Sequence, residues 1–339
     1  MTDGADRMTA LKRSGVPIRR RDLLAGFLAL NFARPAWAAT NEKKIKIGFL
    51  SWFPPSMNAD LGRFREGMQK AGYVEGRDYD VESAFTSGNR VRCQDIARKL
   101  VQEPVDILIA VATPAIQICK EASHTIPIVM FTANALATGL VPSLSHPGGN
   151  ITGVSLLLTD LAGKKLELLR DIRPTLRAVS FLGSTTDPNA VTFVRETQAA
   201  ADHLGIRLSV HLVDGPGAIG QPIFDAMKAD GSEAVIVQPI FSGYQDQIMA
   251  LANKARLAVI SDWSFFAEAG ALLTYGAPYA ALTRRLVYYV DRILKGTPPA
   301  DLPIEQPTEF ELVVNTRAAA ELGWTIPQSI LVRADRVIE

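Results

Sequence analysis

Cysteine is scarce in this chain of 339 residues: Cys93 and Cys119 are the only two. With no C-x-x-C pair, and with His124, His146, His203 and His211 at neither H-x-x-x-H nor H-E-x-x-H spacing, no metal site is expected. A long hydrophobic run is missing as well. The apolar stretch from Leu23 to Leu30 has eight residues before Asn31 breaks it, against the roughly 20 that a membrane span requires. Excess charge of one sign is also absent: 36 Lys and Arg face 35 Asp and Glu, a formal net charge of +1, with no basic stripe. Phosphate backbones are gripped by clustered Lys and Arg, so nucleic acid is not an expected partner. There is no G-x-S-x-G elbow and no other nucleophile and base set, so an enzyme is not indicated.

What the N-terminus does contain is an ordered leader. "RRRDLLAGFLALNFARPAWAAT" begins with Arg19, Arg20 and Arg21, continues with the short apolar run, and ends at Ala36-Trp37-Ala38, an A-x-A cleavage pattern. Residues 1–38 are therefore expected to be an export signal, twin-arginine-like from Arg20-Arg21-Asp22-Leu23-Leu24, removed after Ala38. No cysteine stands directly after the cleavage site, so the product is expected to be periplasmic and not lipidated. Removing the leader takes away seven basic and three acidic residues and leaves a net charge near −3. An oxidising compartment would permit Cys93 and Cys119, on consecutive predicted helices, to pair, but spacing alone does not show the Cα approach a disulfide requires, and two separate buried thiols are the favoured reading.

Along the rest of the chain, short apolar runs alternate with helical patterns, the signature of βαβ units. "IKIGFL" (45–50), "DILIAVA" (106–112) and "IPIVMF" (126–131) read as strands covered on both faces. Leu61, Phe64 and Met68 form a core-facing helical stripe between them. The alternation repeats in "RAVSFLG" (177–183), "IRLSVHLV" (206–213), "EAVIVQP" (233–239) and "LAVISD" (257–262). The expected fold class is α/β, with two doubly wound parallel-sheet lobes. Three segments look like crossovers between the lobes: "SHPGGNITGV" (145–154), "ALLTYGA" (271–277) and the proline-rich "KGTPPADLPIEQPTEF" (295–310). They divide the chain into an N-terminal lobe, 41–153 plus 275–306, and a C-terminal lobe, 154–274 plus 307–339. The hinge is expected near Gly153, Tyr275 and Pro307.

One motif points elsewhere. Gly215, Gly217 and Gly220 in "VDGPGAIG" satisfy G-x-G-x-x-G, a dinucleotide fingerprint. Pro222 would then lie beyond the first turn of the helix, where it costs about 3 kcal/mol, and the next strand offers Gln238 where a ribose-binding carboxylate belongs. The motif is read as a loop before a helix with Pro222 at its first position, and no cofactor is expected.

Four stretches carry a family resemblance: "ATGLVPSLSHPGGNITGVS" (137–155), "KKLELLRDIRP" (164–174), "FFAEAGALLTYG" (265–276) and "DRILKGTPPADLPIEQPTEFELVVN" (291–315). Together they closely resemble the ABC transporter substrate-binding proteins labelled the tryptophan/tyrosine type, over essentially the whole chain beyond the leader. The resemblance implies the type I periplasmic binding protein architecture, a small-molecule ligand enclosed between two lobes joined by three hinge crossovers, and an inner-membrane ABC permease as partner. Where that family has Gly-Asp-Pro before "ATGLV", this chain has Ala133-Asn134-Ala135. An Asn there both donates and accepts, whereas an Asp only accepts.

Open α/β sheets bind ligands beyond the carboxyl ends of their strands. The candidate ligand-binding residues are therefore Ser51, Trp52, Phe53, Thr113, Thr132 and Asn134 in the first lobe, and Ser184, Asp187, Gln238, Phe241, Asp262 and Trp263 in the second. Trp52 and Trp263 could wall in an organic ligand or pack in the core or hinge. Thr113 could cap the following helix or bond a ligand oxygen, and Asp187 could cap a helix or bind an amine. The expected function is a monomeric extracytoplasmic receptor for a small organic ligand, an amino acid or an aromatic or apolar carboxylate. Alternatives are a periplasmic sensor for a receptor or kinase and, less favoured, an NAD-dependent dehydrogenase.

Overall fold

The computed structural model describes residues 44–339, so the expected export signal at 1–38 lies outside the described residues. Strands β1 (Ile45–Ser51), β2 (Tyr79–Phe85), β3 (Ile107–Val111), β4 (Ile128–Thr132) and β5 (Ile151–Ser155) form a parallel sheet in the order β2-β1-β3-β4-β5. β3, β4 and β5 are buried throughout, because helices cover both faces. β2 escaped the sequence expectation. It lies at the sheet edge, and its half-exposed "YDVESAF" dilutes the apolar signal.

Helices α1 (Ala59–Lys70), α2 (Arg90–Gln102) and α3 (Thr113–Ala122) complete this lobe's crossovers. On α1 the expected stripe of Leu61, Phe64 and Met68 is buried. α2 starts where the Asn89 side chain accepts a hydrogen bond from the Arg92 N–H at 2.9 Å, a cap worth about 1 kcal/mol. Cys93 on α2 and Cys119 on α3 are both buried and free, so the two-thiol alternative is the one the structure contains.

The second lobe runs α4 (Ala162–Ile172), β6 (Ala178–Ser184), α5 (Ala190–Leu204), β7 (Arg207–Val213), α6 (Gln221–Ala229), β8 (Ala234–Val237), α7 (Gln245–Ala255), β9 (Ala258–Ser261), α8 (Ser264–Glu268) and β10 (Leu273–Gly276). After it come α9 (Tyr279–Leu294), β11 (Glu311–Asn315), α10 (Thr316–Leu322), α11 (Gln328–Leu331) and β12 (Arg336–Ile338). The sheet order is β12-β11-β10-β9-β8-β6-β7. It is parallel except that β11 runs antiparallel to β10. The exception has a topological cause: the chain leaves β10 for the first lobe and re-enters at the same end through an extended segment.

That excursion ties the lobes together. α9 packs on α1, β4 and β5 of the first sheet. The proline-rich segment then zips along β5, with Thr152 Oγ1 donating to the Leu302 carbonyl at 2.7 Å and Ser155 N to the Glu305 carbonyl at 2.9 Å. The Tyr289 hydroxyl donates to the Pro303 carbonyl at 2.9 Å and accepts from Glu305 N at 3.0 Å. "GPGAIG" forms a short turn, Pro216–Ala218, before α6, and Pro222 falls at the second helical position, one residue later than expected. Among the described residues no helix is long and apolar enough to cross a membrane.

Candidate functional site

The carboxyl ends of both sheets face each other across a cleft whose walls are in contact. Ala112, Thr113, Phe131, Thr132 and Phe53 line a cavity from the first lobe; Asp187, Phe193, Pro239, Ile240 and Trp263 line it from the second. Ala133 of the first lobe, with Leu156, Leu158 and Tyr279 from the crossover segments, completes the lining. The cavity contains about 370 Å³ of empty space, open solvent included, of which only about 30 Å³ can hold the centre of a water molecule. With its walls in contact, this space is too small for a molecule of amino-acid size.

Aromatic rings dominate the wall. Trp263 meets Tyr279 edge-on at 4.7 Å between centroids, and Phe131 meets Tyr279 edge-on at 5.5 Å. Tyr279 is held from behind. Its hydroxyl donates to Asp60 Oδ2 at 2.7 Å, and Arg63 donates to Asp60 Oδ1 at 2.6 Å. Burial raises the Asp60 pKa, and the Tyr279 and Arg63 hydrogen bonds work against that rise.

The cavity has one carboxyl group, Asp187. Its Oδ1 accepts from Asn189 N at 3.0 Å and Asn189 Nδ2 at 3.2 Å, and its Oδ2 accepts from Gln238 Nε2 at 2.7 Å. All three donors are neutral. Burial pushes the Asp187 pKa up to about 6, and the two Asn189 hydrogen bonds offset only part of the rise. Asn189 also reaches the other lobe, where its Nδ2 donates to Thr113 Oγ1 at 2.6 Å. Thr113 Oγ1 lies 2.6 Å from Thr132 Oγ1 as well.

Five of the twelve sequence candidates thus line the cavity: Phe53, Thr113, Thr132, Asp187 and Trp263. Others serve behind it. Gln238 orients Asp187, and its Oε1 accepts from Ser184 N at 2.8 Å. The Ser184 hydroxyl pairs with Thr186 at 2.8 Å. Asp262 pairs with Lys165 at 2.6 Å in a fully buried ion pair; burial raises its pKa and Lys165 opposes the rise. Ser51 Oγ accepts from Phe53 N at 3.3 Å, which fixes the loop that presents Phe53. Phe241 is buried core.

Four residues are placed differently from their expectations. Thr113 does not cap α3: the cap is Ala112, at φ 74° and ψ 145°, a strained conformation for a residue with a Cβ, and Thr113 is the first helical residue. Asn134 is spent within its own loop, with Nδ2 donating to Thr159 Oγ1 at 2.8 Å and Oδ1 accepting from Ala137 N at 3.0 Å, and it is not among the lining residues. Trp52 is also buried but absent from the lining; the bend after β1 turns its neighbour Phe53 to the cavity. Asp187 is not the α5 cap either, since Asn189 holds that position.

The sequence reading missed Phe131, Phe193, Leu156, Leu158, Ile240 and Tyr279, whose apolar patterns are those of core residues. It also missed Asn189. The signal available for it was its place in "DPN" at the tip of β6, two residues after Asp187.

Comparison with known proteins bears on family and fold. The family described as ABC transporter substrate binding protein matches residues 49–338. A tyrosine-binding protein of Clostridioides difficile (strain R20291) is 24% identical over 275 residues, 81% of this chain and 79% of that protein. A crystal structure of a conserved domain protein from Vibrio cholerae superposes with a TM-score of 0.81 at 27% identity, covering 87% of this chain and 100% of the other. An ABC domain from Streptococcus pneumonia in complex with L-Trp superposes with a TM-score of 0.80 at 25% identity and the same coverage. More distant periplasmic binding proteins share the fold, which is the type I periplasmic binding protein fold.

Proposed function

We infer function from kinship: the chain belongs to the ABC transporter substrate-binding protein family, whose members bind solutes and are not enzymes, and we propose that it captures an aromatic or apolar amino acid between its lobes. In this reading the protein is exported, works as a periplasmic monomer, and passes its ligand to an ABC permease in the inner membrane. The observation that carries the ligand class is a cavity walled by Phe53, Phe131, Phe193, Trp263 and Tyr279 around a single buried carboxyl, Asp187, that has no cation beside it.

An anion buried among neutral donors is poorly compensated, and a ligand ammonium would supply the missing charge. The ligand carboxylate would lie at the N-terminus of α3, where first-turn N–H groups and the helix dipole favour an anion beside the Thr113 and Thr132 hydroxyls. The rings would hold the apolar side chain, with Phe53 in the place first expected of Trp52. The ligands named for two relatives, tyrosine and L-Trp, belong to the same class.

Calorimetry with L-tryptophan, L-tyrosine and L-phenylalanine, beside tryptamine and indole-3-propionate, tests this reading. Amino acids should bind tightest, and both mutilated ligands should lose affinity. Failure of all three amino acids to bind would sink it, as would a sugar found by native mass spectrometry in the gently purified protein. N-terminal sequencing of the exported product should begin at Ala39.

A further inference from the structure

In loops beyond the carboxyl ends of the sheets, two glycines are each set against a proline of the opposite lobe. Gly88, in the loop after β2, lies so close to Pro216 that a Cβ on it would stand 2.6 Å from the proline Cδ and 3.0 Å from its Cγ. Gly243, in the loop after β8, lies against Pro54: a Cβ there would stand 2.5 Å from the proline Cγ, 2.9 Å from its Cδ and 3.1 Å from Met57 Cγ. Each lobe therefore contributes one glycine and one proline. Both glycines have positive φ, 77° and 90°. Their neighbours Ser87 and Tyr244 also interact across the same gap. None of the four glycine and proline positions lines the cavity. The G-x-G-x-x-G stretch thus has a place: its Pro216 is one of the two prolines.

We propose that Gly88 and Gly243 are affinity-setting positions that act without touching the ligand, by allowing the lobes to approach closely enough to seal the cavity. The inference rests on the cleft being the binding site. A ligand held by both lobes binds only as tightly as the closed form is accessible, so any group that props the lobes apart lowers apparent affinity in proportion to the lost closed population. Proline rings give way little, because their ring fixes the backbone that carries them. A methyl at either glycine must therefore hold the lobes apart.

The test is a pair of double-mutant cycles on the full exported protein. Gly88→Ala and Gly243→Ala should each weaken L-tryptophan binding roughly tenfold, chiefly through faster dissociation. Adding Pro216→Ala to the first and Pro54→Ala to the second removes the colliding ring carbons and should restore most of the loss. Gly205→Ala is the control, since Gly205 has φ 62° and nothing within 4 Å of its Cβ position, so it carries the backbone strain without the collision. Equal losses in G88A and G88A/P216A would overturn the proposal, as would a comparable loss in G205A. Interlobe distances between spin labels on the exposed Val91 and Val191, each replaced by Cys, separate this from the ligand reading. If L-tryptophan fails to bind the wild type, the ligand reading fails alone. The short-distance population of the ligand-free wild type should still shrink in G88A and G243A, and an unchanged distribution would overturn the latch.

Discussion

Asn189 donates its Nδ2 to Thr113 Oγ1 at 2.6 Å, a buried hydrogen bond that joins the two lobes beside the cavity while the same amide contacts the Asp187 carboxylate. The group that would recognise a ligand amine and the group that would greet its carboxylate are thereby connected by one side chain. Opening the lobes must break this bond, so it contributes to the closed form alone. Thr113→Val removes the acceptor and keeps the shape. It should destabilise the closed form by about 0.5–1.5 kcal/mol, weakening amino-acid binding severalfold while the midpoint of urea unfolding shifts little. An unchanged radius of gyration and dissociation constant at saturating ligand would contradict the coupling.

Asp187 makes the site sensitive to pH. Its folded pKa, about 6, exceeds the unfolded value near ~3.9, so the ligand-free protein binds the proton more tightly than the unfolded chain does. Stability from this group is full below about pH 4 and is lost as pH rises through about 6. An ammonium ligand needs the ionised form, so its binding runs the other way. Affinity should fall roughly tenfold between pH 7 and pH 5. Asp60 and Asp262 are also raised by burial, so the comparison is with Asp187→Asn, which should bind weakly at every pH and show a flat profile in the same calorimetric series.

Lys165 and Asp262 form a fully buried ion pair behind the wall that holds Trp263. Removing one partner leaves the other charge uncompensated. Lys165→Met should cost about 3–5 kcal/mol in urea unfolding, and adding Asp262→Leu should recover a good part of that loss. A double variant as unstable as the single one would show that packing, and not charge, dominates here.

The sequence revealed the strands that are apolar along their whole length, such as "ILIAV" and "AVIV", because burial on both faces leaves a continuous signal. Edge strands β2 and β12 carry exposed polar residues and left none. At the site, the strand-tip rule located Thr113, Thr132, Asp187 and Trp263, since position alone decides which residues sit at a carboxyl end. It could not decide between neighbours. The turn that selects Phe53 over Trp52 is fixed by tertiary hydrogen bonds from Trp52 N to the Val111 carbonyl and from Gly88 N to the Trp52 carbonyl, and these depend on other strands and loops. The cavity's apolar walls were hidden for a related reason: Phe131 and Phe193 follow the same periodicity whether they face a core or a ligand.

Cys93 and Cys119 should stay inert in the folded protein. Burial pushes the Cys93 thiol up to about 12 and raises Cys119 further, so the reactive thiolate is scarce at neutral pH. Both thiols should resist Ellman's reagent in buffer and react fully in guanidinium chloride. Rapid labelling of the native protein would contradict their burial.

Trp263 and Trp52 separate a ring that lines the cavity from one that supports the fold. Each is 2% exposed, so burial alone does not distinguish them. Their placement does: Trp263 lines the cavity edge-on to Tyr279, and Trp52 does not line it. The Trp263 Nε1 is buried with no hydrogen-bond partner among the described residues, which leaves a donor free for a ligand or a water. Trp263→Phe keeps an aromatic wall but loses that donor and part of the ring. It should weaken L-tryptophan binding by about 1–2 kcal/mol, with Trp263→Ala costing more. Trp52→Phe should lower the melting temperature and leave affinity within about threefold of wild type, because Trp52 does not line the cavity and packing lost there acts on both ligand states alike. Calorimetry on variants shown to be folded by thermal melting distinguishes the two rings: a larger affinity loss for Trp52→Phe than for Trp263→Phe would return the anchor to the first lobe.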